Sequence, residues 1–198
     1  MSKLLILKSS MMGVSSQTNS LIDAYVAARR AKGFADEIVE HNLAALDLPV
    51  LDLEIFSALR GAENPSDRAL EAIALSDRLI AELNASDTLI IGAPMYNLNV
   101  PTPLKNWFDL VARAGKTFRY TESYPLGLVE NVNAIVFSSR GGVHLNQPTD
   151  AVTPYLRAVL GLIGISDVSF VNAEGMDMRP HGRDQGLANA HAELTALL

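Results

Sequence analysis

Short runs of apolar residues alternate along the chain with longer segments in which apolar residues recur every three or four positions. Four of the runs barely alternate with polar residues, which is typical of parallel strands covered on both faces. They are Leu4–Leu7, Thr88–Ile91, Ala134–Phe137 and Val168–Val171. A weaker run, Ile38–His41, mixes apolar with charged residues, and we interpret it as an edge strand.

Five segments show the spacing of a buried helical stripe, and we expect each stripe to face the core. The first of these helices is predicted to start near Ser16. Irregular stretches near 43–66 and 115–131 are long enough to be functional rather than minimal connectors. The stripes are Leu21, Tyr25 and Ala28; Ala72, Leu75, Leu79 and Leu83; Leu104, Trp107, Phe108 and Val111; Val152, Tyr155, Leu156, Val159 and Ile163; and Leu187, Ala190, Leu194 and Leu197.

This alternation of strands and helices predicts an α/β fold with helices on both faces of a parallel sheet. Five strands at this spacing favour the doubly wound, flavodoxin-like order 2-1-3-4-5. The order places the weak run Ile38–His41 at an edge, which agrees with its mixed character. We expect a single domain over residues 1–198, a normal length for one domain.

Composition narrows the possible functions. The chain has a net charge of -6, which argues against a nucleic-acid partner, because such a protein would show a basic face. It has no cysteine, so disulfides, thiolate metal sites and thiol nucleophiles are excluded. We see no targeting segment and no apolar run long enough to span a membrane, so we expect a cytoplasmic protein without a membrane partner.

Three polar loops follow predicted strands that are neighbours in the proposed order. They are residues 8–20, 92–99 and 138–144. Ligands of open α/β sheets bind outside the carboxyl ends of the strands, close to the switch point of the strand order. We therefore expect these three loops to meet over one crevice.

The first loop has six consecutive polar side chains, Ser15–Ser20, where a helix is predicted to begin. One Ser or Thr is enough to cap a helix. The other hydroxyl and amide groups, with the unpaired N–H groups of a helix N-terminus, indicate a site for an anion such as a phosphate monoester. The P-loop and the dinucleotide motif are both absent, so such a phosphate would be held without them.

The second loop, Met95–Asn99, lies between Pro94 and Pro101, which stiffen it. Its mixture of apolar side chains, donors and acceptors suits the edge of a heteroaromatic ring. Taken alone, the loop is explained more simply as a turn stabilised by Asn97 and Pro94, with Met95 in the core.

The third loop contains the glycine pair Gly141 and Gly142, which would permit close approach of a ligand to the backbone. Taken alone, the pair predicts an ordinary turn, and the preceding Arg140 predicts a surface ion pair. The case for a site depends on the convergence of all three loops.

Other chemistries lack their motifs. The histidines His41, His144, His181 and His191 show neither H-E-x-x-H nor another metal-binding spacing, so no metal is expected. No G-x-S-x-G elbow is present. Ser139 as nucleophile with His144 as base would make the chain a serine hydrolase, the least favoured alternative.

In these loops the sequence resembles the bacterial FMN-dependent NADH-azoreductases, a branch of the flavodoxin-like quinone reductases. The family implies one FMN per subunit, NADH as co-substrate, and a homodimer with active sites at the subunit interface. The resemblance runs nearly end to end. The matching segments are Lys8–Ser10, Ser16–Asn19, Ala93–Asn97, Leu104–Asn106, Phe108–Gly115, Thr117–Glu122 and Ser138–Gly142.

The resemblance also implies roles for individual residues. The FMN phosphate and ribityl chain would be bound by Ser10, Ser16, Gln17 and Thr18. The isoalloxazine edge would be lined by Met95, Tyr96, Asn97 and Leu98. The other side would be closed by Ser139, Arg140, Gly141 and Gly142. Tyr120 is expected near the substrate, and no protein residue is expected to be essential as acid or nucleophile, since the flavin carries the chemistry.

The implied reaction is a ping-pong transfer of electrons from NAD(P)H to small aromatic acceptors, namely quinones and azo compounds. Azo bonds would be cleaved to two amines in two cycles. Leu98 and Leu162 stand where the family often has Phe, which bears on substrate range rather than on FMN binding. The physiological acceptor and the choice between NADH and NADPH stay open.

A flavodoxin-type electron carrier without NADH activity of its own is the main alternative. It would share the fold and the FMN. The stretches near 43–66 and 115–131 favour an enzyme, because they could wall a substrate pocket.

Overall fold

Five parallel strands form the central sheet of the computed structural model, which describes residues 1–198. Their order is β2-β1-β3-β6-β7, which is the predicted 2-1-3-4-5 order once the two short strands β4 and β5, which pair only with each other, are set aside. All four pairings within the sheet are parallel. The strands are β1 (Lys3–Lys8), β2 (Glu37–Asn42), β3 (Thr88–Gly92), β4 (Phe118–Arg119), β5 (Leu126–Gly127), β6 (Asn133–Ser139) and β7 (Val168–Ala173).

Six helices pack on both faces of this sheet, as predicted. Ser16, Asp52 and Ser66 cap α1, α2 and α3 by accepting a hydrogen bond from the backbone N–H three residues on. The predicted stripes face the core; most of their members are buried and the others are half-buried. The helices are α1 (Gln17–Ala31), α2 (Leu53–Leu59), α3 (Asp67–Asn84), α4 (Thr102–Val111), α5 (Val152–Ile163) and α6 (Gly182–Ala196).

Alternate residues of the strands enter two separate cores, because successive side chains of a strand point to opposite faces. In β1, Leu5 and Leu7 join the core beneath α2, α3, α4 and α5. Leu4 and Ile6 join the core beneath α1 and α6. The uniformly apolar run in β1 therefore reflects burial on both faces, as the pattern predicted.

The two edge strands are less covered. β2 is mostly exposed, which confirms the interpretation of Ile38–His41 as an edge strand. Residues 168–170 of β7 are only half-buried, so the expectation of full coverage is wrong for this part of the run. The reason is topological: β7 forms the other edge of the sheet.

The two stretches predicted to be irregular contain short elements. α2 lies within residues 43–66 and buries Ile55 and Leu59, which are four positions apart on one helix face. The β4–β5 hairpin lies within residues 115–131. Strands of two residues are too short to show a period, so the sequence pattern could not predict them. None of the helices has the length and apolar character that crossing a bilayer requires.

Candidate functional site

A cleft of about 270 Å³ opens where β1, β3 and β6 end. It lies at the carboxyl edge of the sheet, where the order reverses between β1 and β3. The three loops predicted to converge do meet there, and Met176, Asp177 and Arg183, which follow β7, form a fourth wall. The expected cofactor-binding residues that line the cleft are Ser10, Ser16, Gln17, Met95, Tyr96, Ser139, Arg140 and Gly141.

The first wall is the turn that enters α1. The Ser16 hydroxyl accepts a hydrogen bond from the Asn19 N–H at 3.2 Å and is 3.0 Å from the Thr18 hydroxyl. The Ser20 hydroxyl donates to the Ser16 carbonyl at 3.0 Å. Several side chains of the polar run are therefore engaged in hydrogen bonds that stabilise the first turn of α1. Thr18 is fully buried and does not line the cleft, because its hydroxyl is engaged with Ser16.

Unpaired backbone donors remain at this wall. The N–H groups of Gln17 and Thr18 have no hydrogen-bond partner within the chain, as expected for the first turn of a helix. Gln17 and Ser16 face the cleft, and the positive end of the helix dipole lies beside them. This wall therefore suits an anionic group of phosphate size.

The second wall is a tight turn between β3 and α4. The Tyr96 N–H donates to the Asn99 carbonyl at 2.9 Å, and the Asn99 N–H donates to the Tyr96 carbonyl at 3.0 Å. The two central residues have positive φ, 49° at Asn97 and 67° at Leu98, which is the pattern of a type I′ turn. Neither of them lines the cleft. Met95 packs against the larger core, so the simpler explanation of this loop accounts for part of it.

Hydrogen bonds tie the second wall to both of its neighbours. The Tyr96 hydroxyl is 2.9 Å from the Ser10 hydroxyl, which also accepts the Met12 N–H at 3.2 Å. The Met95 N–H donates to the Ser139 carbonyl at 2.9 Å. The three strand-end loops therefore form one connected rim, with the Tyr96 ring between the first loop and the second.

Arg140, on the third wall, is not the surface ion pair that the loop taken alone predicted. It is fully buried, and its guanidinium lies 3.1 Å from Asp150 and 3.4 Å from Glu174. It also donates to the Thr153 hydroxyl at 2.8 Å. These partners come from distant parts of the chain, so the local sequence gave no sign of the buried pair.

The carboxyl of Asp150 titrates below its ordinary range in this network. Burial raises its pKa, but the hydrogen bond from the Thr153 N–H and the charge of Arg140 together outweigh burial, so the pKa is lowered. The second carboxylate, Glu174, accepts the N–H groups of His144 and Leu145 at 2.8 and 2.7 Å. Arg140 and its two carboxylate partners thus hold the third loop in place.

The two glycines of the third loop differ in position. Gly141 lines the cleft, and its carbonyl accepts the Asp177 N–H at 3.0 Å. A Cβ at Gly141 would lie 2.5 Å from the Asp177 carboxylate, so this exposed side chain would have to move to admit one. Gly142 does not line the cleft; a Cβ there would meet the His144 ring at 2.9 Å. The N–H groups of both glycines have no partner within the chain.

The fourth wall was missed by the sequence analysis, which considered only the loops after three strands. Met176 and Asp177 follow β7, so the rule about carboxyl ends, applied to the last strand, would have found them. Arg183 lies in the first turn of α6. Met12 and Ser15 also line the cleft and belong to a loop that the sequence had marked.

Tyr120 does not line this cleft. It follows β4, it is 60% exposed, and its ring packs edge-on against Phe118 at 5.4 Å. Within a single chain, the structure therefore does not bring Tyr120 to the other expected site residues.

The hydrolase alternative lacks its geometry. The ring Nδ1 of His144 is 2.8 Å from the Thr149 hydroxyl, and no hydrogen bond joins His144 to Ser139. A serine nucleophile needs a base within hydrogen-bond reach. The chain also contains no cluster of His, Asp and Glu able to hold a metal ion.

A larger cavity, of about 570 Å³, lies between β7 and α6. None of the expected site residues lines it. We take the smaller cleft as the candidate site, because three strand ends and a helix N-terminus converge on it.

Comparisons with known proteins agree with this architecture. A family model described as a flavodoxin-like fold matches residues 2–198. The FMN-dependent NADH:quinone oxidoreductase 4 of Burkholderia lata is 68% identical over 197 residues, covering 100% of this chain and 99% of the relative. An FMN-dependent NADH:quinone oxidoreductase of Escherichia coli K12 is 53% identical over 199 residues, covering 100% and 99%.

Solved structures share the fold at low sequence identity. An azoreductase of Bacillus anthracis has a TM-score of 0.89 at 24% identity, covering 99% of this chain and 98% of the other. An FMN-dependent NADH-azoreductase of the same species, solved in complex with FMN, has a TM-score of 0.87 at 22% identity, covering 100% and 97%. At this level of identity the likeness concerns the fold.

Proposed function

We propose that this chain, which belongs to the flavodoxin-like fold family, is an FMN-dependent enzyme. The enzyme would transfer electrons from NADH to quinones. Relatives named for this activity are 53–68% identical and cover the whole chain. Residues 1–198 would form one FMN-binding domain, and the protein would act in the cytoplasm, where NADH is available.

The cleft at the strand ends is the observation that carries this proposal. Its first wall offers the unpaired N–H group of Gln17 at the start of α1, beside the Ser16 hydroxyl. Its other walls offer half-buried Tyr96 and Met95 and the close backbone approach at Gly141. This donor set fits FMN: a phosphate at the helix start, and a flat ring between the second and third walls.

Bound FMN would supply the redox chemistry, accepting a hydride from NADH and passing two electrons to the acceptor. The chain's own residues bind and orient. Ser10, Ser16 and Gln17 would hold the phosphate and ribityl chain. Met95 and Tyr96 would pack along the ring, with Asn97 and Leu98 completing the turn beside it.

The third wall would provide electrostatic stabilisation. The unpaired N–H group of Gly141 lines the cleft and would favour negative charge on a ligand ring, and the buried network of the preceding Arg140 holds this loop in place. The N–H of Gly142 is also unpaired but lies outside the cleft lining. Ser139 would contribute its backbone position rather than acid–base chemistry.

We further propose that the reaction is ping-pong and extends to azo compounds, which two cycles would cleave to two amines. Azo reduction is suggested by the names of the structural neighbours.

A homodimer with active sites at the subunit interface is part of this proposal. Met11, Met12 and Val14 are exposed apolar side chains on the turn beside the cleft, and Leu98 is another on the second wall. A partner covering these side chains would explain them, and could bring its own Tyr120 to the site. Light scattering coupled to gel filtration should give twice the mass of one chain.

Anaerobic mixing of the yellow protein with NADH tests the activity. We expect rapid bleaching of the flavin absorbance, followed by reoxidation when a quinone or an azo dye is added. A flavodoxin-type carrier would bind FMN but bleach slowly. Colourless protein that takes up no FMN would refute the proposal.

Replacing Ser139 with Ala tests whether the protein supplies an essential acid or nucleophile. We expect kcat to fall by less than about tenfold, which corresponds to about 1.4 kcal/mol. Flavin absorbance of the variant serves as the control for occupancy. Complete loss of activity with FMN still bound would mean that Ser139 takes part in the chemistry.

A further inference from the structure

Two arginines line the cleft, and only one of them has a free guanidinium. Arg140 is fully buried between Asp150 and Glu174, so its charge is already balanced by two carboxylates. Arg183 is 54% exposed, and its nearest charged partner is Asp177 at 3.8 Å. At that distance the pair is not hydrogen-bonded. The five N–H donors of Arg183 are therefore available to a ligand.

Arg183 lies in the same cleft as the first wall, where a phosphate is proposed to bind. Strands of the sheet are parallel, so α1 after β1 and α6 after β7 both begin at the carboxyl edge. The two helices also share the smaller core, where Leu21 and Ile22 of α1 meet Ala190 and Leu194 of α6. Arg183, in the first turn of α6, lines the same small cavity as Ser16 and Gln17.

The cleft has neutral donors at α1 but no other unbalanced cation. Ser15, Ser16 and Gln17 offer hydroxyl, amide and N–H groups. A phosphate monoester carries a charge of about −1.5 to −2 at pH 7. The weak pairing of Arg183 with the 80% exposed Asp177 leaves the guanidinium free to exchange that partner for a phosphate, with which it forms bidentate hydrogen bonds.

We propose that Arg183 is a phosphate-binding residue of the cleft and that its guanidinium recognises the phosphate of FMN. The inference rests on the proposed FMN function and adds to it a charged residue that the strand-end loops do not contain. A phosphate could also come from the pyrophosphate of NADH. FMN is favoured because Arg183 shares its cavity with the start of α1.

Riboflavin, which is FMN without the phosphate, gives the decisive comparison. The full-length flavin-free protein is titrated with FMN and with riboflavin, and binding is followed by quenching of flavin fluorescence. In Arg183→Gln we expect the Kd for FMN to rise about five- to tenfold, with the Kd for riboflavin changed by less than about twofold. The Kd of Arg183→Lys for FMN should lie between those of the wild type and of Arg183→Gln, because lysine keeps the charge but cannot form the bidentate hydrogen bonds of arginine.

Arg179→Gln is the matched control. Arg179 is an exposed arginine of the loop that precedes α6, and it does not line the cleft. Its replacement removes the same charge from the chain, so an unchanged preference for FMN over riboflavin in this variant would show that the effect of Arg183 is local.

One result would overturn the inference: an unchanged ratio of FMN to riboflavin affinity in Arg183→Gln, whether both affinities stay the same or both weaken equally. If that ratio is unchanged while the KM for NADH rises, Arg183 serves the dinucleotide instead of FMN. Wild-type protein that binds neither flavin would instead refute the proposed function itself.

Discussion

Leu98 is the residue whose backbone departs furthest from ordinary preference. Its φ of 67° lies in the left-handed region, which costs a bulky side chain about 1–2 kcal/mol. The paired hydrogen bonds between Tyr96 and Asn99 hold the turn in this conformation. Strained residues of this kind concentrate at binding sites, and this one follows Met95 and Tyr96, which line the cleft, although Leu98 itself does not.

Replacing Leu98 with Gly should stabilise the flavin-free protein. Glycine adopts positive φ without steric cost but loses more entropy on folding. We therefore expect Leu98→Gly to exceed Leu98→Ala by about 0.5–1 kcal/mol in free energy of unfolding, measured in urea. Both variants lose the exposed side chain, so the comparison isolates the backbone. Equal stability would indicate that the turn is unstrained.

Asp150 gives the buried Arg140 network a dependence on pH. Its pKa is lower in the folded chain than in the unfolded chain, so its contribution is present above the unfolded value of about 3.9 and is lost as pH falls through the folded value. We expect Asp150→Asn to cost about 2 kcal/mol at pH 7, with the difference from wild type narrowing below about pH 4.

Urea unfolding at several pH values measures that difference. Arg140 and Glu174, the other charged groups of this network, are present in both proteins, so the comparison changes only the carboxyl of Asp150. A gap that stays constant between pH 7 and pH 3 would contradict the assigned pKa.

At the scale of elements, the start of α1 serves both the fold and the site. Ser16 caps the helix, and the same turn exposes the N–H groups proposed to hold phosphate. A capping side chain and an anion are both acceptors, and they divide the donors of the first turn between them.

Two substitutions of Ser16 should separate these roles. Ser16→Ala removes the cap and should cost about 1 kcal/mol of stability. Ser16→Asp keeps a capping acceptor, so stability should stay within about 0.5 kcal/mol, while its negative charge should weaken FMN binding by more than about tenfold. Thermal unfolding measures the change in stability, and FMN titration measures the change in affinity. Undiminished FMN binding in Ser16→Asp would place the phosphate elsewhere.

At the scale of the whole molecule, the cleft joins parts that are far apart in the chain. Its walls come from residues 10–17, 94–96, 139–141 and 176–177 with Arg183, between helices that belong to different cores. A ligand that contacts all four walls binds the folded chain alone, so it should raise the stability of the entire domain.

FMN should therefore raise the melting temperature as its concentration rises. At a hundred times its Kd, FMN should add about 2.7 kcal/mol, which corresponds to roughly 5–10 °C for a domain of this size. Differential scanning fluorimetry or circular dichroism measures the shift, with Ser16→Asp as the weakened control. A melting temperature independent of FMN would be incompatible with the site.

The sequence by itself determined the layers of this protein. Burial determines which positions within a short segment are apolar. Uniformly apolar runs and apolar stripes of period 3–4 therefore predicted β1, β3, β6 and all five long helices. The order of strands followed, because few topologies bury such strands. The three converging loops then followed from the rule that ligands lie at the carboxyl ends.

Only the tertiary structure decided which side chains are free to act. The charge of Arg140 is balanced in the interior because Asp150 and Glu174 come to it from other loops, while Arg183 is exposed and lies 3.8 Å from Asp177. The balance of charge around a side chain depends on partners that are distant in sequence, and periodicity carries no record of them. The fold could therefore be read from local burial, but the chemistry of the cleft required the folded chain.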